Sequence, residues 1–504
     1  MKKQLIALFC AACLCVSCLA ACGGSKNKQN LTNADQALAD MYATWWMGSA
    51  TGGNVSPTSS GYYDTNGGMM PWEASQLMSD IYTKWLMEGK PATGDEVDRF
   101  TRQWAWTKKK LGNKLTANAG MDAPGPAVDD NAWNAMYYMM TYNVTKDETA
   151  LNAARDVVVK AYEAFKAAPP GAADNTQNRS TVNGLWYPQH PPSLGFTNLY
   201  GHDGDNRWKS LYAAGLVMVG LEFLMIEKQT DVSWQTTYAS LWNDTLNVYN
   251  WLETNLLRAS ADTVDAAGPT GSAVTLPKIF ENGLQDGSSY TMPATLADNL
   301  YWTDYNVDRS GADYWGNQPA EKNGPDGGSR ADLWVHEASS FSYLGGGMAM
   351  AICHARLYQL TGDAQYLNRA VRTAQAFTDS PNYNNNGVLL NDRDAWNDGF
   401  FAGMYVEEVL TLPGIRAADV NMILNTGAAA YQNCRLTLTA DMPFKNADNY
   451  QYKGKVFYRA EWSGGSNWTK DANSSTQPTQ LMTCGSTVNM IMAAAYAQAL
   501  QLVK

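Results

Sequence analysis

Cysteine and histidine are what this chain has least of once its first residues are passed. Beyond position 22 only Cys353, Cys434 and Cys484 remain, too scattered for a disulfide framework or a thiolate metal site. Buried thiols are the plain reading, although a Cys434–Cys484 bridge stays open in an oxidising compartment. His190, His202, His336 and His354 show neither His-x-x-x-His nor His-Glu-x-x-His spacing, so no zinc signature emerges. Asp304-Tyr-Asn306-Val-Asp308 opens like a calcium loop, then places Arg309 where glycine belongs and Trp315 where a bidentate glutamate belongs. No metal and no other cofactor is called for. Long apolar runs are missing too, since none reaches the ~18 residues of a membrane-spanning helix. Positive charge is scarce, with 37 Lys and Arg against 48 Asp and Glu and a net charge of −11. That balance excludes nucleic acid and disfavours a polyanionic glycan, while leaving a neutral partner open.

The N-terminus has the pattern of an export signal. Lys2 and Lys3 are followed by an apolar run from Leu5, closed by Leu19-Ala20-Ala21-Cys22. This is similar to a bacterial lipobox. The expectation is a lipoprotein signal peptide at 1–21, a lipidated Cys22, and a flexible polar tether over 22–33. A lipid on Cys22 would be the only membrane contact and would place the protein in the cell envelope, at the outer membrane, with the face left open. Losing Lys2 and Lys3 takes the net charge from −11 to −13. Residues 34–504 then hold no further linker of this kind and read as one large domain.

Apolar residues recur at helical spacing through most of that domain. Leu38, Met41, Tyr42, Trp45 and Trp46 share one face, and Leu77, Met78, Ile81, Tyr82, Trp85 and Leu86 share another. Ten further helices are expected at roughly 95–112, 131–143, 148–166, 207–228, 235–257, 341–360, 363–379, 396–411, 415–436 and 485–503. Gly362 can end one helix in a left-handed conformation and Asp363 can cap the next, which makes a tight hairpin. Repeated hairpins predict an all-α fold, an (α/α)6 barrel of about twelve helices. Four stretches, 167–206, 258–340, 380–395 and 437–484, break the pattern and predict long loops with small hairpins over one mouth. Gly345-Gly346-Gly347 lacks the strand and lysine of a phosphate loop, so close helix packing is the expectation there.

The chemistry-bearing candidate is Asp129-Asp130, beside the Pro-Gly-Pro break at 124–126. Two carboxyl groups held together can cleave a glycosidic bond, one protonating the leaving oxygen and one attacking or activating water. Asp is also favoured at a helix start, so capping is the plainer explanation of the pair from local pattern alone. The chain also holds 18 Trp and 27 Tyr, whose rings suit the apolar faces of sugars as well as a core. Trp186, Tyr187, Tyr200, Trp208, Tyr301, Trp302, Trp315 and Trp334 lie in or beside the long loops.

Val128-Asp129-Asp130-Asn131-Ala132-Trp133 resembles the Asp-Asp-x-Ala-Trp signature of glycoside hydrolase family 76, the endo-α-1,6-mannanases. Ala355-Arg-Leu-Tyr-Gln-Leu-Thr-Gly-Asp363 and Asn397-Asp-Gly-Phe-Phe-Ala-Gly403 follow in the expected order. The resemblance implies an (α/α)6 barrel, retaining cleavage of α-mannan and no cofactor, with Asp129 as nucleophile and Asp130 as general acid/base. Trp133, Trp186, Tyr187, Trp208, Trp334 and Asp398 are the candidate substrate contacts. The chain departs from the family at Ser342-Tyr343-Leu344-Gly345, where Tyr-Asn-Gln-Gly is common. It departs again at Phe401-Ala402-Gly403, where Phe-Lys-Gly is common. Two rival readings stay open: a glycan-binding lipoprotein without catalysis, and another (α/α)6 polysaccharide-degrading enzyme.

Overall fold

Two kinds of helix alternate along the chain, and the difference between them dictates the architecture. In the computed structural model the described residues are 29–46, 71–112, 115–116, 128–166, 184–187, 208–258, 273–275, 289–291, 300–301, 304–306, 344–380, 383–390, 399–437, 456–458, 462 and 481–503. One kind is α1 (Gln29–Trp45), α3 (Asp95–Leu111), α5 (Glu148–Lys166), α7 (Ala239–Asn255), α9 (Ala364–Asp379) and α11 (Ala417–Cys434). These are amphipathic. On α5 the buried set Ala150, Leu151, Ala154, Val157, Val158, Ala161 and Phe165 forms one stripe at helical spacing. The other kind is α2 (Pro71–Met87), α4 (Val128–Thr145), α6 (Ala214–Thr230), α8 (Leu344–Thr361), α10 (Ala402–Glu408) and α12 (Leu481–Ala499). These are buried on every side. Asn131–Thr141, Ala214–Leu221, Leu344–Leu357 and 484–497 contain no exposed residue. A four-residue helix, Trp234–Thr237, precedes α7.

The wholly buried helices form a closed ring. Each packs on the next, in the order α2, α4, α6, α8, α10, α12 and back to α2. Each amphipathic helix lies against the outside of that ring, as α5 does on α4 and α11 on α12. This is the expected (α/α)6 barrel. Close approach is built in with glycine: a Cβ on Gly347 would sit 2.8 Å from Phe377 Cζ, so the triple glycine serves packing of α8 on α9. Gly362 has φ +74° and Asp363 accepts from the Gln365 amide at 2.9 Å, as the hairpin pattern requires. Cys353, Cys434 and Cys484 are buried free thiols.

Chain direction follows from this alternation. Short connections leave the C-terminal ends of inner helices, such as Lys146–Asp147 before α5 and Gly362–Asp363 before α9. The long ones enter inner helices at their N-terminal ends. Short antiparallel strand pairs lie within them: Leu257–Arg258 with Leu300–Tyr301, Ala273–Thr275 with Ser289–Thr291, and Arg435–Thr437 with Val456–Tyr458. The Glu281-Asn282-Gly283 turn falls outside the described residues.

The opposite end of the ring is closed by a polar cluster drawn from neighbouring inner helices. Arg356 of α8, 2% exposed, donates to both oxygens of Glu408 on α10 (2.8 and 2.6 Å) and to the Met218 carbonyl of α6 (2.6 Å). It also meets Glu222 of α6 at 2.9 Å. Asn143 of α4 donates to Glu222 (2.6 Å) and to the Tyr82 hydroxyl of α2 (3.0 Å). Burial pushes the Glu408 carboxyl above its ordinary value despite Arg356, while the two glutamates hold the guanidinium charged. Truncating Arg356 strands two partly desolvated carboxylates. Arg356→Ala is therefore expected to lose about 3–5 kcal/mol. Combining Arg356→Met with Glu222→Gln and Glu408→Gln should recover most of it, as read by thermal unfolding midpoints.

Candidate active site at the mouth of the barrel

Asp129 and Asp130 stand at the N-terminal tip of inner helix α4, at the end where the long connections gather. The helix begins at Val128, earlier than the expected 131, so both carboxylates belong to its first turn. Successive helical side chains diverge by about 100° around the axis, so the two groups reach the helix tip from different angles. Asp129 Oδ1 accepts from the Asp130 amide at 2.9 Å, which satisfies one of the free N–H groups of the first turn. Both residues are half-buried and reachable from the mouth. The dipole of α4 favours negative charge there. Capping and chemistry are thus compatible, because the group that caps the helix is also presented to solvent.

Beneath the pair lies an aromatic floor. Trp133, one turn on, is 3% exposed and packs edge-on against Phe400 (4.7 Å between ring centroids) and against Phe401 (5.5 Å). Its ring contacts with these two phenyl groups hold it against the segment that precedes α10. Phe400 and Phe401 precede α10, which starts at Ala402 and not near 396 as the periodicity predicts. The reason is a competing partner: Asn489 of α12 donates to the Gly399 and Phe400 carbonyls at 2.8 and 2.5 Å. Periodicity gave no warning of this. The available signal was a polar Ser486-Thr487-Val488-Asn489 inside an otherwise apolar helix.

Other candidate contacts divide into three groups. Trp186, Tyr187 and Trp208 are brought together by a three-stranded antiparallel sheet, in which Tyr187 lies opposite Trp208 and Trp208 opposite Asn306. The strand carrying Trp208 runs almost directly into α6, so this sheet sits at the same mouth as the pair. Trp334, Asp398 and Cys22 lie outside the described residues, as do Tyr200, Trp302 and Trp315. Tyr301 is a buried anchor, 3% exposed. No group of three or more His, Cys, Asp or Glu able to hold a metal comes together among the described residues.

The Tyr301 anchor ties the 258–343 excursion to the barrel wall. Its hydroxyl donates to Glu253 of α7, accepts from Arg369 of α9 (2.8 Å) and lies 2.8 Å from His354 Nε2 on α8. Tyr249 meets His354 Nδ1 at 3.0 Å. One assignment satisfies every group: Tyr249 donates to Nδ1, and the Nε2 hydrogen goes to Tyr301. Burial disfavours the imidazolium and lowers the His354 pKa from 6.5 to about 3. A depressed histidine leaves its stability intact above pH 6.5 and loses it as pH falls toward 3, because the unfolded chain takes up the proton first. Between pH 6.5 and 4.5 this amounts to about 2–3 kcal/mol. His354→Gln is expected to flatten the fall of the unfolding midpoint across that window, compared with the wild type.

No family model matches this sequence, and no curated protein matches it. Solved structures do. The chain is similar, at 12% identity and a TM-score of 0.55, to an inactive variant of α-1,6-mannanase GH76A of Salegentibacter sp. HEL1_6 in complex with α-1,6-mannotetrose. In that variant two adjacent aspartates are replaced, and the match covers 93% of this chain and 99% of that one. The unsubstituted α-1,6-mannanase aligns at 13% identity and a TM-score of 0.52, over 93% of this chain and 100% of that one. This chain has the fold of those mannanases. The Lin0763 protein from Listeria innocua has it as well, at 13% identity and a TM-score of 0.51, over 94% of this chain and 98% of that one.

Proposed function

We propose that this chain is a member of glycoside hydrolase family 76 and a retaining, endo-acting hydrolase of α-1,6-mannan or a related α-mannoside polymer. The observation that carries the reading is the position of Asp129-Asp130, at the half-buried tip of an inner helix in a mannanase fold. A structural neighbour with two adjacent aspartates replaced is inactive, which supports placing the chemistry on this pair. An Asp129 oxygen attacks the anomeric carbon while the Asp130 carboxyl gives its proton to the leaving glycosidic oxygen. The C1–O bond breaks and a glycosyl ester forms. Asp130, now a carboxylate, takes a proton from water as that oxygen attacks C1, which releases the Asp129 carboxylate. Trp186, Tyr187, Trp208, Trp334 and Asp398 are proposed to hold neighbouring sugars, whose binding helps distort the ring being cleaved. Cys22 carries the lipid in this reading, which sets the enzyme at the cell envelope to act on neutral glycans.

The changed surroundings give the test a second arm. Ala402 is fully buried where the family commonly carries lysine, so a cation is missing from that point. A binding protein without turnover would share everything else. The soluble domain from residue 23 is to be incubated with α-1,6-mannan beside Asp129→Asn and Asp130→Asn, and products sized by chromatography. A mannooligosaccharide ladder from the wild type, reduced at least about 1,000-fold in Asp129→Asn, is the expected result. Absence of products together with retarded migration in a mannan-containing gel would instead establish the binding-protein reading. A new unsaturated product would point to lyase action.

A further inference from the structure

We propose that Asn489, on α12, is a positioning residue for the carboxylate pair, acting through the turn at Gly399–Phe401. The inference rests on the reaction proposed above for Asp129 and Asp130. Asn489 is 1% exposed and touches neither carboxylate, yet its whole hydrogen-bonding capacity is committed to this turn and its support. The amide nitrogen donates to the Gly399 carbonyl (2.8 Å) and the Phe400 carbonyl (2.5 Å). The amide oxygen accepts from the Thr83 hydroxyl of α2 (2.8 Å). One orientation alone fits, because the two carbonyls face the same amide group and only its nitrogen can donate to them. One helical turn earlier, Ser486 accepts the Gly399 amide at 2.8 Å.

Steric fit shows how tightly the turn is seated. A Cβ on Gly399 would come within 1.9 Å of the Ser486 carbonyl oxygen, and one on Gly403 within 1.9 Å of Thr83 Oγ1. The turn is therefore pressed onto α12 and α2 with no room for a side chain. What it presents in the other direction is Phe400 and Phe401, both buried and both in contact with Trp133. Trp133 follows Asp129 by four residues and Asp130 by three, so all three share one stretch of the α4 surface. Helical side chains lean toward the N-terminus, which brings the Trp133 ring under the carboxylate turn. A continuous path of direct contacts thus runs from Asn489 through two carbonyls and two phenyl rings to the indole beneath the pair. Loosening its first link lets the floor under the first turn of α4 shift, and small displacements of catalytic groups cost rate heavily.

Two readouts on the mature protein test the clamp, one of them independent of turnover. Asn489→Ala is compared with the wild type and with Leu252→Ala, a core truncation on the far outer helix α7 that serves as a stability-matched control. Hydrogen exchange is followed on peptides covering 128–133, and kcat and KM are measured on α-1,6-mannan. The clamp predicts faster exchange in the first turn of α4 for Asn489→Ala alone. It also predicts a kcat lower by about 10- to 100-fold with KM within about twofold, and Asn489→Gln partly restoring kcat. Unchanged exchange and kcat in a folded Asn489→Ala protein, or equal changes in Leu252→Ala, would overturn it. If the wild type turns over no mannan, the reaction reading fails. The exchange comparison then decides the clamp by itself: faster exchange in Asn489→Ala alone upholds it, and equal exchange overturns it.

Discussion

Everything in this molecule depends on closing six helices into a ring and then wrapping that ring with six more. An inner helix so placed has no face left for water, and a charge on it must find a partner or reach one of the two ends. The sequence obeys this with one exception, Asp80 in the middle of α2, where burial pushes the carboxyl well above its ordinary value and so favours the neutral form. Between Asn131 and Thr141, and from 484 to 497, no residue carries charge, whereas the outer helices α3, α5 and α9 carry lysine or arginine alongside acids. Charged groups of the inner ring accumulate at its ends: Asp129 and Asp130 at one, and Glu222, Arg356 and Glu408 at the other. The two ends differ in kind. At the closed end every charge is spent on its neighbours, while at the mouth the carboxylates stay half-exposed.

Directionality makes the mouth suitable for acids. Inner helices run parallel to one another because each returns through an outer helix, so their N-terminal ends collect at a single opening. Helix dipoles there favour negative charge, typically by about 0.3–1 kcal/mol per helix end. All the long connections enter inner helices at the same opening. A fold shaped by burial thereby offers a place where carboxylates are tolerated and half-exposed.

Much of this was legible before any coordinates. Helix periodicity identified the twelve main helices, and the Gly362–Asp363 hairpin behaves as its residues dictate, since φ and capping are local properties. The triple glycine of α8 likewise packs closely, as expected from its lack of a phosphate-loop context. What escaped was contact across long separations. Nothing near Trp133 reveals that Phe400 and Phe401 will occupy its ring, and nothing near Tyr301 announces His354, Glu253 and Arg369. An aromatic residue looks the same in sequence whether it stacks on a sugar or fills a wall. The late start of α10 escaped for the same reason, because Asn489 lies on another helix far along the chain.

The central claim is that Asp129 forms a bond to sugar during turnover. An α-1,6-mannobiosyl fluoride bearing fluorine at C2 of its reducing-end ring slows departure of the glycosyl group and lets a covalent ester accumulate. Mass spectrometry of the digested protein should find the added mass on the peptide holding Asp129-Asp130, with fragmentation placing it on Asp129. Asp129→Asn should remain unlabelled. Label on any other residue, or steady release of fluoride with no labelled peptide, would contradict the assignment.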